Sequence, residues 1–489
     1  MRIARRVVWG LFLGLTLGCP VGAAPNVVVI VIDDLGWRDV GYAGSSYYRT
    51  PHIDRLAAAG VRFTAAYAAC PVCSPTRAAL LTGKAPARLL LTDWLPSGRW
   101  NPAARLREAR FVRALPPEET TLAEIFRGAG YDTVHVGKWH LGGPPFSLPE
   151  HHGFDVNIGG NAHGAPGSHF FPWEGRWRIP TTPLRATWNV LPEGKEGEYL
   201  ADRLTNEAVA FIRRPHERPF FLHMAHYGVH TPLEAPAAVT ARYEAVPEGD
   251  RQGKPVYAAM VEAIDDGVGR VVAALDETGH ADDTLVVFTS DNGGFSGATS
   301  NAPLRGHKGA LHEGGIRVPL VIRLPGGRAA GRVIDVPVTT MDLAPTCVAV
   351  AGLPPRPHQH LDGIDLVPLI DGAADRRAAL HWHYPHYSDH PATAPGGAIR
   401  RGPWKLIESF DPAGIELYDL ATDPGEARNR AKERPELVAA LQADLAAWRR
   451  EVGAEMMAPN PEHDPQALAR EAEAGGRKKG KRTASAVEE

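Results

Sequence analysis

Cysteine is scarce in this chain: four in 489 residues, too few for a disulfide-built scaffold. Net charge is scarce too. Against 56 Asp and Glu stand 53 Lys and Arg, a formal charge of −3, which argues against holding nucleic acid through bulk positive charge. Beyond the N-terminal segment no apolar run is long enough for a bilayer span, and there are no internal repeats. What remains is ordinary globular composition, 44% hydrophobic and 22% charged. Gly 51 and Pro 43 make it loop-rich without being low-complexity. The length would fit about three domains, or one large α/β unit with a smaller companion.

Met1 to Ala24 reads as a secretory leader. Arg2, Arg5 and Arg6 form its basic start, Val7 to Leu17 its apolar stretch, and Val21-Gly22-Ala23-Ala24 a small-residue cleavage region. Lipoprotein processing at Cys19 is the lesser alternative. The mature chain is expected to be exported to the periplasm or outside the cell.

Val27 to Ile32 is a β-branched run suited to a strand buried on both faces, and it ends in Asp33-Asp34-Leu35-Gly36. Thr121 with Glu124 predicts a capping box opening a helix over Leu122 to Arg127. Strands are predicted over Tyr131–Val136, Pro219–Met224 and Thr284–Ser290, and helices over Tyr199–Ile212 and Tyr257–Leu275. This alternation predicts an α/β fold with a large, mainly parallel sheet flanked by helices. Near residue 375 the rhythm changes. Short strand-like pieces at Ala398-Ile399, Trp404–Ile407 and Glu416–Leu420 precede a helix striped by Leu437, Leu441, Leu445 and Trp448, predicting a smaller antiparallel sheet plus helix. From Met456 apolar periodicity stops, and the basic run Arg477 to Arg482 reads as a solvated, disordered end.

Two buried strands end in oxygen donors: Asp33-Asp34 and Asp291-Asn292. One such pair would commonly cap a turn. Two pairs at corresponding strand ends favour a hard cation, Ca²⁺ or Mg²⁺, because buried carboxylates are costly without one. No His/Cys set with zinc spacing lies nearby. Cys73 precedes a helix-like run, where a helix N-terminus and Arg77 favour an anion. A thiolate nucleophile and a Cys70–Cys73 redox pair are both open on these residues alone.

Cys73-Ser74-Pro75-Thr76-Arg77, with Ala78 to Gly83, resembles the C-x-P-x-R signature of the type I, formylglycine-dependent sulfatases of the alkaline-phosphatase-like superfamily. The similarity runs from Asn26 to about Leu445. It takes in Asp33-Asp34-Leu35-Gly36, Gly137 to Gly142, His230-Thr231-Pro232, Asp291-Asn292-Gly293, Lys308-Gly309 and Glu313-Gly314-Gly315. The resemblance implies that a maturation enzyme oxidises Cys73 to formylglycine. It implies that Asp33, Asp34, Asp291 and Asn292, with the hydrate of residue 73, hold Ca²⁺. By the same resemblance Arg77 would steady the hydrate, and Lys138 and Lys308 would contact sulfate oxygens. His140 would help move the nucleophile's proton, and His230 would protonate the leaving group. The implied division is a leader over 1–24, a sulfatase catalytic domain over 25–376, a C-terminal subdomain over 377–455 and a disordered tail over 456–489.

For the organic half of the substrate two aromatic segments stand out, Gly159 to Trp173 and His381 to Tyr387. They resemble loops of exported bacterial sulfatases acting on sulfated polysaccharides, and Asn161, His383 and His386 are the candidate sugar contacts. Packing between the domains is the competing explanation. The rival functions are a phosphonate or phosphodiester hydrolase of the same superfamily, an inactive sulfated-glycan binder, and a thiol-redox protein.

Overall fold

The computed structural model describes residues 24–96, 101, 103–178, 185–374, 377–388 and 390–467. The expected leader, Cys19 included, lies outside the described residues except for Ala24, as does the basic run near the C-terminus.

The main sheet has eight strands: β1 (Asn26–Ile32), β2 (Val61–Phe63), β3 (Asp132–Gly137), β4 (Val156–Ile158), β5 (Phe220–Ala225), β6 (Thr284–Ser290), β7 (Leu320–Arg323) and β8 (Val333–Ile334). Their order is β8-β2-β7-β6-β1-β5-β3-β4, and only β7 runs against the rest. Strand β1 sits at the centre with every side chain buried. Val28, Ile30 and Ile32 enter one core with α1 (Pro51–Ala59), and alternate residues Val27, Val29 and Val31 enter the other. Helix α2 (Cys73–Thr82), α3 (Leu122–Gly128) and α6 (Leu343–Val350) cover that second face. The first face is covered by α4 (Leu200–Arg213) and α5 (Pro255–Glu277). A β-branched run therefore fits: it must pack on two faces at once.

The small antiparallel sheet has four strands, β9 (Leu380–Tyr384), β10 (Gly396–Arg401), β11 (Trp404–Phe410) and β12 (Ala413–Asp419), in chain order. Helix α7 (Pro435–Glu451) places Leu441 and Leu445 on Ile399, Leu406 and Leu417. The opposite face presents Trp382, Tyr384, Ala398, Ile407 and Tyr418 to Tyr67, Cys70, Val72 and Leu311 of the main domain. Strand β9 lies outside the strand-like pieces expected from the sequence; its Trp382 and Tyr384 are sheet packing.

The expected disorder from Met456 is corrected at its start. Ala458–Pro459 pairs antiparallel with Leu106–Arg107, and Asn460 Nδ2 donates to Ala104 O at 2.7 Å. Backbone pairing plus one amide leaves no periodic apolar signal, so the sequence could not announce it.

The capping box is present. Thr121 Oγ1 accepts from Glu124 N at 3.3 Å and donates to His152 O at 2.6 Å, while Glu124 Oε2 accepts from Thr121 N at 2.8 Å. Thr121→Ala should therefore lower the unfolding free energy by about 1–2 kcal/mol, seen as a reduced urea midpoint.

Candidate active site

The site lies beyond the carboxyl ends of the central strands, where open α/β sheets place their ligands. Asp33 and Asp34 follow β1, Asp291 and Asn292 follow the neighbouring β6, Lys138 follows β3, and His230 lies in the loop after β5. Cys73 is the first residue of α2, whose ten residues are all buried. Its lead-in turn is fixed by Thr76, whose Oγ1 accepts from Cys70 N at 3.1 Å and donates to Cys70 O at 2.9 Å.

A buried ionic network joins these ends. Lys138 Nζ lies 2.6 Å from Asp33 Oδ2. Lys308 Nζ lies 2.6 Å from Asp34 Oδ1, and His230 Nε2 is 3.8 Å from Asp34 Oδ2. Arg77 reaches Asp291 Oδ2 at 2.9 Å through Nε and 2.7 Å through Nη2, and donates from Nη1 to Lys138 O at 3.0 Å. Asn292 Nδ2 donates to Asp34 Oδ1 at 2.7 Å. His140 Nε2 pairs with Leu95 O, and Asn161 O accepts from His140 N at 2.9 Å. Gly164 presses on that ring: a Cβ there would fall 2.4 Å from His140 Cε1.

Burial sets the protonation of the cluster. It pushes Asp33 up to about 8, against the pull of Lys138. It opposes ionisation of Asp34 and Asp291 as well, but Lys308 and Arg77 respectively hold these two below the usual carboxylate range. Burial lowers His230 to about 3, with Lys308 adding to it, and takes His140 well below its ordinary value. Burial also raises the thiols of Cys73 and Cys70, the reverse of an activated thiolate or redox pair.

The donor set suits a hard divalent cation. One carboxylate oxygen each from Asp33 and Asp291 lies within 4.8 Å of the other and of Cys73 Sγ. Asp33 Oδ1 and Asn292 Oδ1 are buried with no hydrogen-bond donor. Orphaned oxygens gathered beside further carboxylates are the chemistry Ca²⁺ or Mg²⁺ takes up.

The sulfatase family profile matches residues 25–353. The chain belongs to the sulfatase family. It is a sulfuric ester hydrolase with the mixed α/β architecture of that family. A second profile, the C-terminal part of N-sulphoglucosamine sulphohydrolase, matches residues 307–451. N-acetylgalactosamine-6-sulfatase of Sus scrofa is 35% identical over 405 residues, 78% of this chain and 73% of that protein. Arylsulfatase A of Homo sapiens is 33% identical over 485 residues, 88% of this chain and 89% of that one. The crystal structure of Ps i-CgsB with k-i-k-neocarrahexaose superposes with TM-score 0.73 at 31% identity, over 91% of this chain and 96% of that one.

Around this sulfatase site the predicted sugar contacts separate. Asn161 adjoins His140 and is half-buried. His383 and His386 are corrected. His386 is fully buried, with Nε2 on Thr92 Oγ1 at 2.8 Å and Nδ1 on Glu108 Oε1 at 3.1 Å. His383 is buried with Nε2 on Glu455 O at 2.8 Å. His386 is engaged against the segment carrying Thr92 and Glu108, and His383 packs inside the C-terminal part itself, on Glu455 O and the Phe410 ring. Trp173 is likewise core, fully buried with Nε1 donating to Glu198 O at 3.2 Å.

Two supporting residues, Asp39 and His169, carried no signal of their own in the sequence. Asp39 accepts from Gly36 N at 2.9 Å and Tyr257 OH at 2.6 Å, bracing the loop after Asp34. His169 Nε2 lies 3.0 Å from His230 O and holds the His230 loop. Among the described residues no helix is long and apolar enough to cross a membrane.

Beneath the site His135 Nδ1 faces His223 Nδ1 at 3.0 Å across β3 and β5, and burial lowers His135 to about 3. The folded state keeps this ring neutral where the unfolded chain protonates it below about pH 6.5. Its contribution is intact above that pH and is lost progressively as acid is added, down to about pH 3. The unfolding free energy of His135→Gln, measured against wild type, should shift toward the variant by about 1.4 kcal/mol per pH unit between pH 6 and 4. A difference that stays flat across that window contradicts the assignment.

Proposed function

We propose that this sulfatase is an exported enzyme acting on sulfated saccharides, with its nucleophile made from Cys73 by a maturation enzyme that oxidises the thiol to formylglycine. The observation that carries the reading is the buried gathering of Asp33, Asp291 and Cys73 at the mouth of the central strands. The saccharide is supported by relatives whose names specify N-acetylgalactosamine-6-sulfate chemistry and by the neighbour crystallised with neocarrahexaose. Export rests on the leader-like sequence from Met1 to Ala24.

Asp33, Asp34, Asp291 and Asn292, with the oxidised residue 73, would hold Ca²⁺ or Mg²⁺. Such an ion supplies a Lewis acid for a sulfate oxygen and steadies a charged nucleophile. The hydrate of an aldehyde at residue 73 supplies two hydroxyls on one carbon, one to attack sulfur and one to release sulfate by restoring the aldehyde. Lys138 and Lys308 hold sulfate oxygens, and their ammoniums are oriented by Asp33 and Asp34 before the ester arrives. Arg77, fixed on Asp291 and Lys138 O, steadies residue 73. His140 shares the nucleophile's proton. His230, whose side chain is 20% exposed, returns a proton to the leaving group once the negative charge of the bound sulfate offsets the burial and the Lys308 charge that keep its ring neutral in the free enzyme. Asn161 contacts the sugar beside His140.

The test uses protein made in a host that supplies the maturation enzyme. Mass spectrometry of the Cys73 peptide should find the thiol replaced by an aldehyde, and an aryl sulfate should be hydrolysed much faster than an aryl phosphodiester. Chelation should abolish turnover, with Ca²⁺ or Mg²⁺ restoring it. Lys308→Ala should cost on the order of 10²-fold in kcat. Unmodified cysteine in a protein of full activity would sink the nucleophile assignment.

A further inference from the structure

The loop carrying Lys308 is stitched to both sides of the site. Gly293 N donates to Gly315 O at 2.9 Å and Lys308 N to Gly294 O at 3.2 Å, joining the loop to the turn after Asp291 and Asn292. Gly309 N donates to Pro71 O at 2.8 Å, just before Cys73. The approach is close: a Cβ at Gly293 would lie 2.0 Å from Gly314 O.

The small sheet anchors this loop through side chains: Arg305 Nη1 donates to Tyr418 OH at 2.6 Å, His312 Nε2 lies 2.7 Å from Glu416 Oε2, and the fully buried anchor is Glu313. Glu313 is fully buried and opens the single turn Glu313–Ile316. Its Oε1 accepts from Lys405 Nζ on β11 at 2.9 Å, and its Oε2 from Tyr67 OH at 2.7 Å. Lys405 Nζ also lies 2.9 Å from Glu426 Oε1, and Glu426 Oε2 accepts from Glu313 N at 2.7 Å. Arg317 Nη1 stands 3.6 Å from Glu313 Oε2. The side chains of Lys405, Glu313 and Glu426 are all buried, and none takes part in the chemistry above. A buried ion triad is a poor source of net stability, because desolvation offsets the attraction. Its use here is geometric.

We infer that Lys405, acting through Glu313 and Glu426, is a positioning residue for Lys308 and for the Asp291-Asn292 turn, so that the C-terminal subdomain completes the catalytic site. The inference rests on the role proposed for Lys308. Displacing a catalytic group by about 1 Å can cost up to 10²-fold in rate, so loss of the anchor is read in kcat.

The experiment compares Lys405→Met, Glu426→Gln and Leu445→Ala in the full, matured chain. Rates are taken on an aryl sulfate and normalised to folded protein and to aldehyde content at residue 73. Leu445→Ala loosens the same subdomain from its α7 face without touching the triad. Lys405→Met should lower kcat about tenfold or more and raise the Ca²⁺ concentration needed for half-maximal rate after chelation. Leu445→Ala should lower the thermal midpoint while keeping kcat within about twofold of wild type. A Lys405→Met enzyme of normal kcat, or a Leu445→Ala enzyme equally impaired, overturns the inference. Should Lys405→Met fail to fold, Glu426→Gln decides: a fall in kcat of about threefold or more supports positioning, and an unchanged kcat refutes it. A wild-type enzyme inactive on every sulfate ester would instead sink the proposed function. Wild-type activity that requires Lys308 but ignores Lys405 sinks this inference alone.

Discussion

Three aspartates pair with three cationic side chains inside the protein, and the site depends on that balance. Asp33 faces Lys138, Asp34 faces Lys308, and Asp291 faces Arg77, all at or near complete burial. No member is easily lost, because the partner left behind would be an uncompensated buried charge. The balance also orients the cations. An ammonium fixed by a carboxylate needs no reorganisation when a charged ester arrives, and in a buried setting its field is little screened. Asp33 is the one of the three that burial raises on balance, even beside Lys138. It is also where an orphaned carboxylate oxygen lies among the candidate metal donors.

The sheet makes this assembly possible. Strands β1 and β6 are parallel neighbours in register from Asn26 with Thr284 to Ile32 with Ser290, so their acidic ends emerge side by side. Both strands are packed on two faces, which leaves the carboxyl edge as the outlet for polar side chains. Helix α2 then aims its first residue at that edge. The small sheet closes one flank, packing Trp382, Tyr384 and Tyr418 near the lead-in to Cys73 and burying Lys405 against the Lys308 loop.

Much of this was legible in the residues. The β-branched runs that end in acid, the Thr121–Glu124 cap and the Leu441–Leu445 stripe each use a local rule that the tertiary structure obeys. The gathered site residues were legible through their ordered motifs. An aromatic run with polar tips, such as that carrying His383 and His386, serves a sugar and internal packing equally well. Only burial and partners such as Thr92 and Glu108 separate the two. The Ala458–Pro459 pairing left no pattern at all, since two residues carry no period. Long-range supports such as His169 on His230 O depend on loop paths that no local rule encodes.

The harder question is how adjacent residues come to serve one site. In a continuing strand Asp33 and Asp34 would point to opposite faces of the sheet. Asp34 instead adopts a left-handed backbone, φ 63°, directly beyond β1. Asp33 N donates to Gly228 O at 3.1 Å and Val229 N returns a bond to Asp33 O at 2.8 Å, so the neighbouring loop pins the turn. His140 does the same beyond β3, with φ 59° and its N–H on Asn161 O. A non-glycine residue in that region costs about 1 kcal/mol or more and persists only where its surroundings enforce it. Here the enforcement is visible, and its product is the convergence itself: Asp33 on Lys138 and Asp34 on Lys308, two consecutive carboxylates turned into one pocket. The backbone strain is therefore part of the site's construction, because relaxing either residue into regular strand geometry would pull its neighbours out of the cluster.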